Sequence, residues 1–304
     1  MQALNLQSGP VTSDMVQNLT HLVIPFNDDE IDLHGIECLT SLVSLDVSGG
    51  GGITPISQLA LLPNLRTIDH SDGYLSDLVG FEALTQLTSL NVSRNNIYDF
   101  SPLATLVDLV ELDISENYNF YAQPVNNASL ASLTKLESLD VNNVAITDFS
   151  FLASLPNLVA LDLGSTGLTA IPDLSEMDDL DVLGLSGNTL ASFTPLEGLT
   201  GLSRLDLRYT GLSSLTSIAP LTGLTHLNVA GNALTNITVL GALPLLSVLD
   251  ISENSAIASL QPLVDSSYIG SGDTIAYSLY DCATFGAAVD TLIARGVVME
   301  DYCQ

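Results

Sequence analysis

Three features of the sequence predict a solenoid of stacked strand-and-turn repeats. The phrase L-x-x-L-x-L/V/I recurs with Leu87, Leu109, Leu136, Leu158, Leu180, Leu202, Leu224 and Leu246 at its head, and from Leu136 to Leu246 the step is 22 residues every time. Leu19, Leu42 and Leu65 carry the register upstream at steps of 23, 23 and 22, which makes eleven copies with one longer step of 27 from Leu109 to Leu136. Inside each copy, apolar residues first alternate and are then spaced by three. A period of about 20 to 29 residues with this phrase is the signature of a leucine-rich repeat, a unit that cannot bury its apolar face alone and must stack on its neighbours. The predicted class is therefore an α/β leucine-rich-repeat solenoid. Such a solenoid is a curved right-handed superhelix with a parallel β-sheet on the concave face and mostly 3₁₀ or extended turns on the convex face.

The elements follow in order. Residues 1–18 precede the first copy and read as the remnant of an N-terminal cap; MQALNLQSGPVTSD has neither a basic n-region nor an apolar h-region, so it is not a signal peptide. Residues 19–263 hold the eleven repeats. In Leu158-Val-Ala-Leu161-Asp-Leu163 the leucines alternate with Ala160, Asp162 and Gly164, the pattern of a strand with one wet face. The expected sheet gains about 4.8 Å per rung, roughly 50 Å over eleven rungs. Beyond the strand, Leu168, Ile171, Leu174, Met177 and Leu180 are spaced by three, as are Leu212, Leu215, Ile218, Leu221 and Leu224. Residues three apart eclipse one another in a 3₁₀ turn, whereas an α-helix would also use the fourth position.

The ninth position of the unit is Asn27, Asn95, Asn117, Asn188, Asn232 and Asn254, with Thr166 and Thr210 in two other copies. An inward Asn both donates to and accepts from adjoining turn backbone, so these residues are expected to be scaffold. Gly50, Gly73 and Val144 cannot do that work, and their rungs are expected to be less regular. His70 falls on an inward strand position between Val47 and Val92, where a hydrogen-bonded core histidine is expected. Five extra residues after Asn117, near 118–124, carry Tyr118, Phe120 and Tyr121.

Residues 264–304 depart from the repeat and read as a helix-strand cap. Asp281 to Gly296 reads as an amphipathic helix with the glycine past its end, and Val297-Val298-Met299 as a last strand. A Cys282–Cys303 disulfide would close a loop of about 20 residues for roughly 3 kcal/mol; the alternative is a pair of reduced thiols in a cytosolic cap. Cys38, beside core leucines, is expected to be a free, buried hydrophobe.

Composition limits the function. The 35 acidic residues outnumber the six basic ones, for a net charge of −29, and Lys135 is the only lysine. Nucleic acid and anionic membrane would be repelled, and no apolar run approaches the length of about 18 residues that a membrane span needs. Gly49 to Gly52 lacks the Lys-Ser/Thr of a phosphate loop, and no His pair has metal-ligand spacing. No enzyme and no cofactor are expected.

Leu87-Thr-Ser-Leu90-Asn-Val92-Ser-Arg-Asn95-Asn-Ile97-Tyr-Asp-Phe100-Ser-Pro-Leu103 resembles the 22-residue repeat of bacterial internalin-type surface proteins. Thr12 to Leu19, followed by Asp32-Leu-His-Gly-Ile-Glu37, resembles the junction where the internalin helical cap enters the first repeat. Gly272 to Ile275 through Cys282, and Ala294 to Val297 through Cys303, resemble the disulfide-bearing caps of related bacterial extracellular proteins. The N-terminal cap is short by comparison, and no immunoglobulin-like module or wall anchor follows. The resemblance implies a secreted or surface-exposed, monomeric bacterial module that binds a protein or glycan on its concave face. Two alternatives are an intracellular scaffold resembling the 22-residue-repeat regulator of protein phosphatase 1 and a structural spacer in a larger adhesin.

The residue between the two core positions of each strand is Asp46, Asp69, Asn91, Asp113, Asp140, Asp162, Gly184, Asp206, Asn228 and Asp250, an almost continuous acidic column. Neighbouring carboxylates repel by about 1 kcal/mol in water, which a cationic partner would relieve. Calcium on Asp113, Asp140 and Asp162 would need about six to eight oxygens, and no loop supplies a recognised set. Against this column Arg204 and Arg208 flank Asp206, Tyr209 follows, and His226 lies one rung on. Arginine and tyrosine are enriched at interface hot spots, so this patch and the aromatic insertion are the candidate contacts.

Overall fold

The computed structural model describes residues 17–24, 31–50, 53–117, 125–277 and 282–301. The chain forms two compact units, Met1–Leu158 and Val159–Gln304. In the first, strands β1 (His21–Val23), β3 (Ser44–Asp46), β5 (Thr67–Asp69), β6 (Ser89–Asn91), β7 (Glu111–Asp113) and β8 (Ser138–Asp140) pair in parallel; β2 (Ile31–Asp32) and β4 (Ile53–Thr54) form a separate parallel pair. The register joins Leu22, Leu45, Ile68, Leu90, Leu112 and Leu139, the fourth residue of each repeat. In the second unit β9 (Ala160–Asp162), β10 (Val182–Gly184), β11 (Arg204–Asp206), β12 (His226–Asn228), β13 (Val248–Asp250), β14 (Thr274–Tyr277) and β15 (Val298–Asp301) do the same, through Leu161, Leu183, Leu205, Leu227, Leu249, Ile275 and Met299.

Period and burial agree over most of the chain. From Leu42 on the leucines of the strand phrase are buried, as are most of those in the three-spaced outer segments. Those segments run as 3₁₀ turns such as Ser101–Thr105 and Thr194–Gly198, or as successive i to i−3 bonds, Met177 N–H to the Leu174 carbonyl and Leu180 N–H to the Met177 carbonyl. The asparagine ladder is scaffold, as expected. Asn188 donates to the carbonyls of Leu163 and Leu185 and accepts the Leu168 N–H at 2.9 Å; Asn95, Asn117, Asn232 and Asn254 repeat the arrangement. Asn27 lies outside the described residues.

The residue just before the ladder position is left-handed in copy after copy: Asp72, Arg94, Glu116 and Asn143 in the first unit, Ser165, Tyr209 and Glu253 in the second, each with φ between 52° and 58°. That twist sends its N–H to the next rung, as from Arg94 to the Ser115 carbonyl and from Tyr209 to the Ala230 carbonyl. Glycine takes the same position in three other copies, Gly49, Gly187 and Gly231, with φ of 72°, 68° and 65°, and Asp72 and Asn143 are of the types that tolerate positive φ, whereas Arg94, Glu116 and Tyr209 are not.

Two expectations are corrected. Cys38 is a free thiol but an exposed one. Leu33, Ile36 and Leu42 are the inward residues of its segment, and Cys38 falls off their three-residue spacing. His70 is fully buried as expected, yet neither ring nitrogen has a hydrogen-bond partner. The ladder position of its own copy is Gly73, and Nδ1 faces the place a Cβ there would take, 3.2 Å away.

Burial pushes the His70 pKa below the ordinary histidine value, with a smaller opposing contribution from Asp69. The folded form therefore resists a proton that the unfolded chain accepts below about pH 6.5, so stability present above that pH is lost as pH falls towards the folded pKa. His70→Val, which copies Val47 and Val92, is expected to stabilise the chain by about 1 kcal/mol at pH 7.5 and by more at pH 5. Urea midpoints of the two proteins at both pH values check this. A difference that does not grow on acidification would contradict it.

At the C-terminal end come α1 (Gln261–Asp265) and α2 (Cys282–Ala294), the latter packed on α1 and β15. Helix α2 ends where predicted. Gly296 takes φ 87°, and the Val297 N–H reaches back to the Leu292 carbonyl at 3.1 Å. Strand β14 has no leucine phrase and was not foreseen; it continues the ladder because Ile275 pairs with Leu249. Of Cys282 only the backbone is described, and Cys303 lies outside the described residues, as do Tyr118, Phe120 and Tyr121.

Candidate binding surface

The acidic column forms as read. In the first unit Asp46, Asp69, Asn91, Asp113 and Asp140 stand side by side in register, and in the second Asp162, Gly184, Asp206, Asn228 and Asp250. Each side chain is locked by its own strand end. The Oδ1 of Asp113 accepts the Ser115 hydroxyl at 2.6 Å and the Ser115 N–H at 2.9 Å, and Asp46–Ser48, Asp69–Ser71 and Asn91–Ser93 are built alike. Asp140 accepts the Asn142 N–H and Asp162 the Gly164 N–H. The sequence signal for these locks is the recurring Asp/Asn-x-Ser at 46–48, 69–71, 91–93 and 113–115, which lies outside the leucine period.

The chemical result is a surface that accepts. Each serine hydroxyl spends its one proton on the neighbouring side chain and turns only lone pairs outward. In the first unit these groups line a groove of about 510 Å³, with Asp72, Asp113, Glu116 and Asp140 among its walls and Arg94 as its one basic lining residue. The Arg94 Nε lies 3.5 Å from Glu116. Among the described residues, no group of three or more His, Cys, Asp or Glu has a metal-binding arrangement.

In the second unit the predicted basic patch divides. Arg208 is fixed to Asp206: Nε lies 3.0 Å from Oδ2 and 3.1 Å from Oδ1, and Nη2 lies 2.7 Å from Oδ2. That hydrogen bonding, aided by Asp250 and Asp162 nearby, raises the Arg208 pKa further above its already high value. Tyr209 is 54% exposed and reaches two rungs on to donate its hydroxyl to Glu253 at 2.9 Å, which also raises the phenol pKa. Its ring lies over Gly231; a Cβ there would be 2.1 Å from the Tyr209 Cε1, so only glycine fits beneath. Beside Asp162 the same holds for Gly184, whose missing Cβ leaves room for that carboxylate.

Arg204 stands apart from Arg208. It is exposed, lies in register with His226, and among the described residues its guanidinium has no acidic partner. His226 Nδ1 meets the Thr225 hydroxyl at 2.9 Å.

Comparison with known proteins agrees with this architecture. A family model described as leucine-rich repeats (2 copies) matches residues 128–176. No curated protein matches the chain. Among solved structures the chain is similar to the internalin InlF of Listeria monocytogenes, at 25% identity and a TM-score of 0.74, with 97% of this chain and 90% of that one covered. It is similar in fold to the functional domain of InlJ from Listeria monocytogenes, described as including a cysteine ladder, at 20% identity and a TM-score of 0.60 over 96% of this chain and 64% of that one. TLR13 in its complex with ssRNA13 shares the fold at 19% identity and a TM-score of 0.61, over 95% of this chain and 52% of that one.

Proposed function

We propose that this internalin-type leucine-rich-repeat protein is a bacterial recognition module, secreted or displayed at the cell surface, that binds a protein or glycan partner on the exposed face of its strands. The observation that carries the reading is the preorganised pair Arg208 and Tyr209. Both are held by carboxylates of their own face, Asp206 and Glu253, and they rise beside Ser186, Gly187, Ala230 and Gly231, which have little or no side chain. A side chain already fixed in place loses little entropy on binding, and arginine and tyrosine bring area and directed hydrogen bonds. Around the pair the accepting column favours a partner surface rich in N–H donors, Lys and Arg above all. A phosphate backbone would meet repulsion, so the likeness to TLR13 is taken as one of fold only.

Chemistry on bound substrate has no support in this face. His70 is sealed in the core, and the carboxylates are engaged in turn hydrogen bonds. Among the described residues no helix is long and apolar enough to cross a membrane. We further read the functional form as a monomer, with residues 264–304 as its cap.

The test uses the whole chain as bait on solubilised cell-surface proteins, beside the double variant Arg208→Ala with Tyr209→Ala. A partner held by the native chain should bind the variant more weakly by roughly 2 kcal/mol or more, and its affinity should fall with added salt. A partner that binds both proteins equally, but is lost on Tyr118→Ala with Tyr121→Ala, would move the site to the inserted segment.

A further inference from the structure

In the second unit the residue before each core position of the strand forms a row along the exposed face: Ala160, Val182, Arg204, His226, Val248, Thr274 and Val298 stand in consecutive register. The first unit fills the same row with His21, Ser44, Thr67, Ser89, Glu111 and Ser138, so the valines and the arginine belong to the second. Val248 and Val298 are 39% and 52% exposed, and Leu245, at the entry to β13, is 58% exposed.

The cation in this row is unspent. Arg66 donates to the Pro63 and Leu65 carbonyls, Arg94 lies against Glu116, Arg208 is bound to Asp206, and Arg295 donates to the Ser266 carbonyl. Among the described residues Arg204 alone of the arginines has no such partner. Its neighbour is oriented. Thr225 has one hydroxyl proton, and it points to the Ser203 carbonyl at 3.0 Å, so the contact with His226 is satisfied as well only when Nδ1 carries a proton and donates. Neutral His226 then presents Nε2 to solvent as an acceptor.

We infer that this row is a docking strip for an extended protein segment of the pattern apolar-x-carboxylate-x-apolar. Rungs are about 4.8 Å apart, so Val182 and Val248, three rungs from each other, are separated by roughly 14 Å, while same-side residues of an extended strand recur about every 6.8 Å. Two such steps match the strip. The outer residues then rest on the two valines and the middle carboxylate falls between Arg204 and His226, within reach of the long guanidinium. A carboxylate suits that fork in a bidentate way that no neutral group matches. Nε2 of His226 takes an N–H of the same segment. The inference rests on the strand face being the recognition surface, and it adds that a mainly basic partner brings one carboxylate to a fixed place.

Labelled acetyl-Lys-Val-Lys-Glu-Lys-Val-Lys-amide and its twin with Gln for Glu form the probe pair, read by fluorescence anisotropy against the native chain and Arg204→Gln. The Glu peptide should bind the native chain about fivefold more tightly than its twin and show no preference for Arg204→Gln. The same preference with both proteins, or none with the native chain, overturns the docking strip. In that case binding of both peptides that weakens on Asp206→Asn with Asp250→Asn leaves the accepting face standing. Failure of both peptides to bind the native chain overturns the accepting face, and the strip with it. Circular dichroism of Arg204→Gln, an exposed substitution, confirms that the comparison is between folded proteins.

Discussion

Leu161→Ala should lower the unfolding free energy by about 2–5 kcal/mol, and Asp162→Ala, one residue on, by under about 1 kcal/mol. Leu161 is 1% exposed and sits in register with Leu183 in the row of core residues. Truncation removes buried methyl groups and leaves a cavity that a stacked rung cannot close without disturbing the rung beside it. Asp162 looks the other way. Its carboxylate accepts the Gly164 N–H at 2.7 Å on the solvent side, a contact worth about 1 kcal/mol net. Urea titrations of the two variants decide the matter: equal shifts in midpoint would mean that the faces of the strand are wrongly assigned.

Gly241→Ala should cost about 3 kcal/mol, while Gly198→Ala should be neutral or slightly stabilising. Both glycines lie in outer turns of the second unit, and neither has a positive φ. A Cβ on Gly241 would stand 2.2 Å from the backbone carbonyl oxygen of Pro262 in α1, and a backbone carbonyl in a helix cannot swing aside as a side chain can. On Gly198 the same atom would meet nothing within 4 Å. The added methyl there only narrows the unfolded ensemble. Thermal unfolding of the two variants should separate them clearly. Matching midpoints would rule out the close approach of Gly241 to α1.

The periodic features were legible in the sequence because each is local and recurs from copy to copy. Alternation assigned Leu161 to the core and Asp162 to solvent, spacing by three announced the 3₁₀ turns, and the ninth-position asparagines declared a scaffold. Repetition averages away the errors of any single copy, and stacking favours the one arrangement that buries the periodic leucines together. The helix Cys282–Ala294 with Gly296 beyond it was equally readable, since its capping glycine is a signal carried in the chain itself.

Only the tertiary structure decided what depends on atoms that meet across rungs. Arg204 and Arg208 look equivalent along the chain, yet one is bound to Asp206 and the other has no acidic partner among the described residues. Tyr209 finds Glu253 at a separation of 44 residues, and His70 is buried with neither ring nitrogen hydrogen-bonded. Period determines which residues share a rung and a face. Which polar group finds a partner is set by small differences in side-chain reach between neighbouring rungs, and a pattern of spacings does not contain that information.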